Sequence, residues 1–438
     1  VTISSDMSAD PSVLTASPQA TQTRKSSASN VVAIVLGNGL EMYDFTVYSF
    51  FAAIIGKLYF PVSSSLGALL LSLATFGVGF FMRPLGAVLI GNYADKRGRK
   101  AALTLTILLM TIGTALIAFT PTYHQIGIAA TLLLVMGRLL QGLSAGGEIG
   151  ASSAMLMESG LAHRRCFLVS WQTASQGAAA LCGALIGVGL STAFTPAELE
   201  SGWWRLPFIL GLLIAPVGMY IRRQLDETHV VTAEHEHKVS LLDVLRQHYR
   251  TLLLGILLMV ASTSSMYLEV FYMPTYLIRN LHFPSSTAFA VASLAGAILF
   301  LVPPFVGKYC DTLKSRKTLP VCAMVLSLLV TYPAFLLLQQ STELLQAMLI
   351  IGGLILIMTA VASTIFVLMM EAFEPFSRAT GISIMYAFGV TIFGGFAPFF
   401  VTALMAWTGS ALVPAWYLMA ATFISLIAML LFPERRLP

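Results

Sequence analysis

Glu41 and Asp44 stand one helical turn apart in an otherwise apolar stretch. With Asn38 and Tyr48 they fall on or near one helix face at i, i+3, i+7 spacing. Two carboxyls this close repel, and a low dielectric favours the neutral acid, so at least one is expected to take up a proton. That is the chemistry of a proton carrier; the plainer reading is a structural ion pair with a neighbouring helix. Arg138, Gln141 and Glu148 share a stripe about 80° wide on a second apolar helix. An arginine at midspan suits a carboxylate, because its planar fork can bind both oxygens. The alternative is that Arg138 permanently neutralises Glu41 or Asp44. Arg83, at similar depth, is the expected structural partner of Glu148. A third stripe holds Ser262, Ser265, Glu269, Tyr272 and Tyr276 and should face a cavity, with Glu269 a second candidate proton site or a gate. Pro274 is expected to kink that helix. Thr359 and Ser363 are expected to bond back to their own helix.

These side chains need elements that hold them in oil. The chain has 438 residues, of which 57% are hydrophobic and 10% charged. A soluble protein of this length needs far more charge to cover its surface. Continuous apolar runs of roughly 18 residues or more, the length that spans a bilayer, recur from residue 31 onward. They imply an all-α membrane protein. Twelve spans are predicted, at 31–57, 66–90, 101–119, 126–158, 165–193, 203–222, 251–278, 286–307, 318–339, 343–371, 379–405 and 413–432. Residues 1–30 read as a disordered tail and 433–438 as a short one. The polar linker 223–250 separates an N-terminal six-helix bundle (31–222) from a C-terminal one (251–432).

With the N-terminus placed in the cytoplasm, cytoplasmic segments carry 20 of the 25 Lys and Arg residues and external segments three. That bias predicts both termini in the cytoplasm; the expected location is a plasma membrane, the bacterial inner membrane. The net charge of +5 is explained by these loops and does not argue for nucleic acid. Cys166, Cys182, Cys310 and Cys322 show no metal or redox spacing and read as unpaired thiols. His235-Glu236-His237 reads as polar filler in the linker. No nucleophile triad, nucleotide loop or metal cluster is present, so an enzyme is not expected.

The halves echo each other. Met157-Glu158, followed by Arg164-Arg165, recurs as Met370-Glu371, followed by Arg378, at an offset of 213. Gly91-x-x-x-Asp95 recurs as Gly307-x-x-x-Asp311 at an offset of 216. Two similar bundles facing one another imply a site between them near the midplane. Gly91 and Gly98 would allow the tight link between spans 2 and 3. Asp95 can accept from a neighbouring helix N-terminus, where the dipole favours an anion. If that helix belongs to the other half, Gly91, Asp95, Gly98, Arg99, Glu158 and Arg165 form a latch that holds only while the cytoplasmic side is shut. The plainer reading is a positive-inside anchor.

The run Gly91-Asn92-Tyr93-Ala94-Asp95-Lys96-Arg97-Gly98-Arg99-Lys100 resembles the loop signature of the major facilitator superfamily. Gly37-Asn38-x-x-Glu41-x-x-Asp44-Phe45, Arg83-Pro84-Leu85-Gly86, Gln141-Gly142-x-Ser144-Ala145-Gly146-Gly147-Glu148, Trp204-Arg205-Leu206-Pro207-Phe208 and Phe393-Gly394-Gly395-x-x-Pro398 resemble its metabolite:proton symporter branch. Ser170-Trp171-Gln172-x-Ala174-Ser175-Gln176 and Ser262-Thr263-Ser264-Ser265 look most like the citrate and tricarballylate carriers; Glu269 departs from them, and an extra acid would repel a trianion. The resemblance implies the major facilitator fold, working by alternating access as a monomer in the lipid bilayer. It implies inward symport of a small organic acid (a tricarboxylate or dicarboxylate) with protons and no other cofactor. Expected substrate contacts are Arg138, Gln141, Asn38, Tyr48, Gln172, Ser265 and Tyr272; expected proton sites are Glu41, Asp44 and Glu269. A symporter for betaine or proline would use the same charges. A drug/proton antiporter fits less well, because span 5 reads Gly177-Ala178-Ala179-Ala180 where those carry a Gly-Pro motif.

Overall fold

The computed structural model of the chain describes residues 28–97, 99–146, 152–153, 156–157, 162–212, 216 and 245–434. Within them the chain is helical, with no strand. This follows from the sequence: long apolar runs without alternation can satisfy their backbone only internally. Nine helices among the described residues are long and apolar enough to cross a membrane, and Thr104–Phe119 is a shorter apolar one.

In chain order the helices are α1 (Ala28–Phe50), α2 (Ala52–Tyr59), α3 (Ser65–Arg97), α4 (Arg99–Phe119), α5 (Tyr123–Ile126), α6 (Ile128–Gly146), α7 (Arg165–Ala193) and α8 (Pro196–Ser201). Beyond the linker come α9 (Tyr249–Ser265), α10 (Met273–Asn280), α11 (Ser285–Thr312), α12 (Thr318–Gln340), α13 (Leu344–Glu371), α14 (Pro375–Gly389), α15 (Ala397–Thr408) and α16 (Val413–Leu431). Residues 206–212 are also helical, where span 6 is expected to begin. Glu148, Glu158, Gly98 and the predicted linker up to residue 244 lie outside the described residues.

Four boundaries differ from expectation. Span 1 is not one helix: it bends at Phe51, where Ser49 Oγ donates to the Phe271 carbonyl at 3.2 Å and Phe51 stacks on Phe289. Both partners come from the second half of the chain, so a tertiary contact overrides local propensity. Spans 7 and 11 are each split by a six-residue π-helical segment, Met266–Phe271 and Val390–Gly395. Pro274 and Pro398 follow directly, in the first turns of α10 and α15, where a missing N–H matters little. In span 7 the break lies on the N-terminal side of Pro274, the side on which a proline frees the carbonyl four residues back, that of Val270. Finally, α3 stays helical through Gly91 and Asp95 to Arg97, and α4 resumes at Arg99. The predicted loop is, as far as Arg97, a helical extension beyond the apolar stretch Ser65–Ile90.

Helices α3 and α6 cross at backbone contact. A Cβ placed on Gly142 would lie 1.7 Å from the Gly79 carbonyl oxygen. Small residues spaced by three intervening positions are how membrane helices approach this closely, and Gly142 and Gly146 supply the pattern. Gly142→Val is therefore expected to abolish monodisperse protein in detergent size-exclusion chromatography. Gly353→Ala, with nothing near its added Cβ, should leave the elution profile unchanged. The most extensive seam between the halves is α7 against α11, where Gly177 meets the backbone of Leu299 and Phe300.

Candidate functional site

The site is built on α1, α3, α4 and α6, and the second half covers it. Arg138 is fully buried in the middle of α6. Its Nη1 donates to Gln141 Oε1 at 2.5 Å, and Gln141 Nε2 donates to Thr114 Oγ1 at 2.9 Å. Thr114 Oγ1 in turn donates to Asp44 Oδ2. A relay of three hydrogen bonds thus joins a guanidinium on α6 to a carboxylate on α1 through a hydroxyl on α4. Such chains polarise along their length. Asp44 faces into its own half, where a Cβ on Gly211 would meet its Oδ1 at 2.7 Å.

Around the guanidinium stands an aromatic wall. The Arg138 carbon Cζ lies 4.4 Å from the Tyr48 ring, 4.6 Å from Phe45 and 5.2 Å from Phe76. Arg83 shares it, with Cζ 4.8 Å from Phe45 and 4.2 Å from Phe80. Aromatic faces attract a cation through their quadrupole yet accept no strong hydrogen bond. Among the described residues, Nε and Nη2 of both arginines have no hydrogen-bond acceptor. Buried charged donors left this way are costly, so they mark a place where an acceptor belongs.

The second half closes over this wall. Tyr267, in the first π segment, packs edge-on against Phe80 at 5.1 Å and against Phe76 at 6.0 Å. Thr391, in the second, donates to the Phe80 carbonyl at 2.9 Å. Tyr386 of α14 accepts from Arg83 Nη1 at 3.4 Å. Glu41 lies within electrostatic reach of Arg83, Tyr267 and Tyr386. Arg83 was expected to serve Glu148, which lies outside the described residues; its described contacts place it at the seam beside Arg138.

The other expected site residues divide. Tyr48 belongs to the wall, and its hydroxyl donates to the Ser72 carbonyl at 3.3 Å. Asn38 and Gln172 tie α1 to α7: Asn38 Nδ2 donates to the Gln172 carbonyl and to Ser175 Oγ, and Gln172 Oε1 accepts from Ser153 Oγ. Neither hydrogen-bonds to the Arg138 relay. In the second half, Ser265 and Glu269 line a separate small cavity, and Tyr272 bonds Thr402 on α15. The polar stripe of span 7 therefore faces its own half and not the seam. The opposite, aromatic side of that helix meets Phe76 and Phe80, because two apolar walls pack where the halves touch. Thr359 and Ser363 bond back to the carbonyls of Leu356 and Thr359, as expected. Nothing in the spacing of Thr114 marks it; for the aromatic wall the sequence signal is Phe76, Phe80 and Arg83 at i, i+4, i+7.

At the charged-loop end a cluster joins the halves. Asp311 accepts from the backbone N–H groups of Cys166 and Phe167 at 3.0 and 2.9 Å, at the N-terminus of α7. Arg165 pairs with Glu371 at 3.3 Å, and Arg316 pairs with Glu371 at 2.9 Å and Asp311 at 3.6 Å. The helix-capping contact expected of Asp95 is thus observed at its repeat, Asp311. Arg165, expected to act with Glu158, meets the repeat copy Glu371. Gly91, Asp95 and Arg99 are helical, but their side chains lie outside the described set. At the far end Arg279 donates to the Ser65 carbonyl and Oγ, so described contacts cross the seam at both ends.

Comparison with known proteins bears on this arrangement. Residues 34–398 match the family model of the Major Facilitator Superfamily. A citrate-proton symporter of Klebsiella pneumoniae is 33% identical over 400 residues, covering 91% of this chain and 90% of the relative. An alpha-ketoglutarate permease of Escherichia coli (strain K12) is 30% identical, covering 92% and 93%. A putative proline/betaine transporter of Staphylococcus aureus (strain COL) is 31% identical, covering 92% and 87%. In fold, the chain is similar to a partially occluded inward-open structure of a xylose transporter from E. coli, with TM-score 0.76 and 16% identity over 94% of this chain and 98% of that one. Full-length matches in sequence and fold, on a helical chain with buried charges at the seam of two halves, identify the chain as a multi-pass membrane transporter that belongs to the major facilitator superfamily.

Proposed function

We propose that this transporter imports a small organic acid together with protons by alternating access, with both termini in the cytoplasm. The observation that carries the reading is the pair of buried arginines, Arg138 and Arg83, whose Nε and Nη2 donors lack acceptors. A carboxylate or two is the complement of those forks. The relatives named for citrate and alpha-ketoglutarate support a di- or tricarboxylate. In this reading Arg138, with Gln141 and Tyr48, holds the substrate, and Asn38 and Gln172 set the α1–α7 approach that shapes the chamber. Asp44 is the proton site, coupled to Arg138 through Gln141 and Thr114, and Glu41 senses the seam. Net positive charge moving inward would gain about 2.3 kcal/mol per 100 mV per charge. The cluster of Asp311, Arg316, Glu371 and Arg165, with its repeat around Asp95, latches the cytoplasmic side shut.

A second reading, a zwitterion such as betaine or proline, draws on the aromatic wall, which suits a quaternary ammonium. It is the weaker of the two, because guanidinium groups already occupy those faces.

The test is uptake into proteoliposomes under an imposed pH gradient, with citrate, tricarballylate, dicarboxylates and betaine in parallel. Carboxylate uptake that collapses with the gradient is expected. In the same vesicles, Asp44→Asn should lose gradient-driven accumulation while keeping substrate exchange. Accumulation by Asp44→Asn with wild-type pH dependence removes Asp44 as the proton site, and betaine-only uptake removes the carboxylate reading.

A further inference from the structure

The polar stripe of α9 and its π segment opens into a cavity of about 20 Å³ inside the second half. None of its lining residues belongs to α1, α3, α4 or α6, so it is distinct from the Arg138 relay. Ser262, Ser265 and Glu269 line it together with Ser327 of α12 and Thr422 of α16, and apolar side chains make up the rest of the wall. Roughly 10–15 Å³ suffices for one water molecule, so the space admits a water or an ion of similar size.

Glu269 is 3% exposed, and its Oε2 has no hydrogen-bond partner among the described residues. No Lys, Arg, His, Asp or second Glu lines the cavity; α12, α13 and α16 bring only Met, Leu, Ile, Val, Ser and Thr to it. A carboxylate buried without a partner is not sustained as a bare charge. Something positive must accompany it, and no protein group at the cavity wall does. The donors are all oxygen: one carboxylate and four hydroxyls, carried on three elements. Such a set suits a hard cation, and one negative charge matches a single positive one. Hydroxyls also rotate, so the same groups can accept from a protonated carboxyl or turn their lone pairs on an ion.

We propose that this cavity is a binding site for one small monovalent cation, either a proton with its water or Na⁺, held by Glu269 with Ser262, Ser265, Ser327 and Thr422. The site has a mechanical neighbour. Glu269 lies in the π segment whose Tyr267 packs on Phe80 at the seam. Single π turns inside helices are frequent at functional positions, because they shift register without breaking the helix. Filling or emptying the cavity acts on the segment that closes the second half over the arginines.

The test is the melting temperature of the purified full chain in detergent, which needs no transport and so separates this site from the transport reading. In one arm NaCl replaces choline chloride at constant ionic strength and pH 8. In the other, pH falls from 8 to 6 without Na⁺. Wild type is expected to gain several degrees in one arm, and the arm that responds identifies the cation. Glu269→Gln, close in shape, should lose that gain. Ser327→Ala keeps the carboxyl and should move the half-saturation point about tenfold, the ligand-linked shift expected for a weakened site. A response in Glu269→Gln equal to wild type, or no response in either arm of wild type, overturns the proposal. If Glu269→Gln does not fold, Ser327→Ala and Thr422→Val decide: midpoints unchanged in both overturn it.

Discussion

Arg138→Gln is expected to cut carboxylate uptake by two orders of magnitude or more while the protein still inserts and runs monodisperse. Arg138 is fully buried, and the only described hydrogen bond of its guanidinium goes to Gln141. Its other donors face aromatic rings that cannot satisfy them. A substrate carboxylate placed there gains charge-assisted hydrogen bonds in a dry site. Losing one partner of such a pair costs about 2–5 kcal/mol, and each 1.4 kcal/mol is about tenfold. Arg138→Lys keeps the charge but not the fork, so uptake should fall to an intermediate level. The rival role, permanent neutralisation of Asp44, gives a different pattern. In that case Arg138→Gln with Asp44→Asn would restore uptake, because the pair would leave together. Full carboxylate uptake by Arg138→Gln alone would show that the anchor lies elsewhere.

How far the chain could be read in advance depended on what each feature answers to. Apolar length is a local property, and spans such as Thr318–Gln340 and Val413–Leu431 stand within a few residues of expectation. Glu41, Asp44, Arg138 and Gln141 were legible because a polar group in oil needs a reason whatever surrounds it. Partners were less legible. Thr114 sits in an apolar run and becomes meaningful only when α4 crosses α1 and α6, placing its hydroxyl between Gln141 and Asp44. The stripe of span 7 was correctly grouped on one face, but periodicity does not say which neighbour that face meets. That face meets its own half, because Tyr267 on the other side packs against Phe76 and Phe80. The π segments were invisible for the same reason: one extra residue per turn leaves no compositional mark, and only the prolines just beyond them hint at a break.

Oxidation is expected to arrest the transporter through a pair of cysteines that sequence spacing gave no reason to join. Cys166 on α7 and Cys310 on α11 bring their sulfurs to 3.5 Å across the seam between the halves, although they are 144 residues apart. A disulfide needs about 2.05 Å, so an approach of about 1.5 Å would close it. Backbone already touches there: a Cβ on Gly307 would meet the Cys166 carbonyl oxygen at 2.6 Å. Diamide would take two electrons and two protons from the thiols, leaving one disulfide and its own hydrazine. The bond would join Cys166, whose own backbone N–H donates to Asp311 at the α7 N-terminus, to Cys310, the residue just before Asp311. That contact is a charge against a helix end, worth typically about 0.3–2 kcal/mol and easily opened in a cycle. A covalent bond at the same place is not. Uptake should therefore fall at least tenfold in diamide and recover in dithiothreitol, and Cys166→Ser should be indifferent to both. Mass spectrometry of the peptides carrying Cys166 and Cys310 confirms the bond. If that bond forms and uptake continues, α7 and α11 do not part at this end during transport, and the latch assigned to Asp311, Arg316 and Glu371 is a fixed brace.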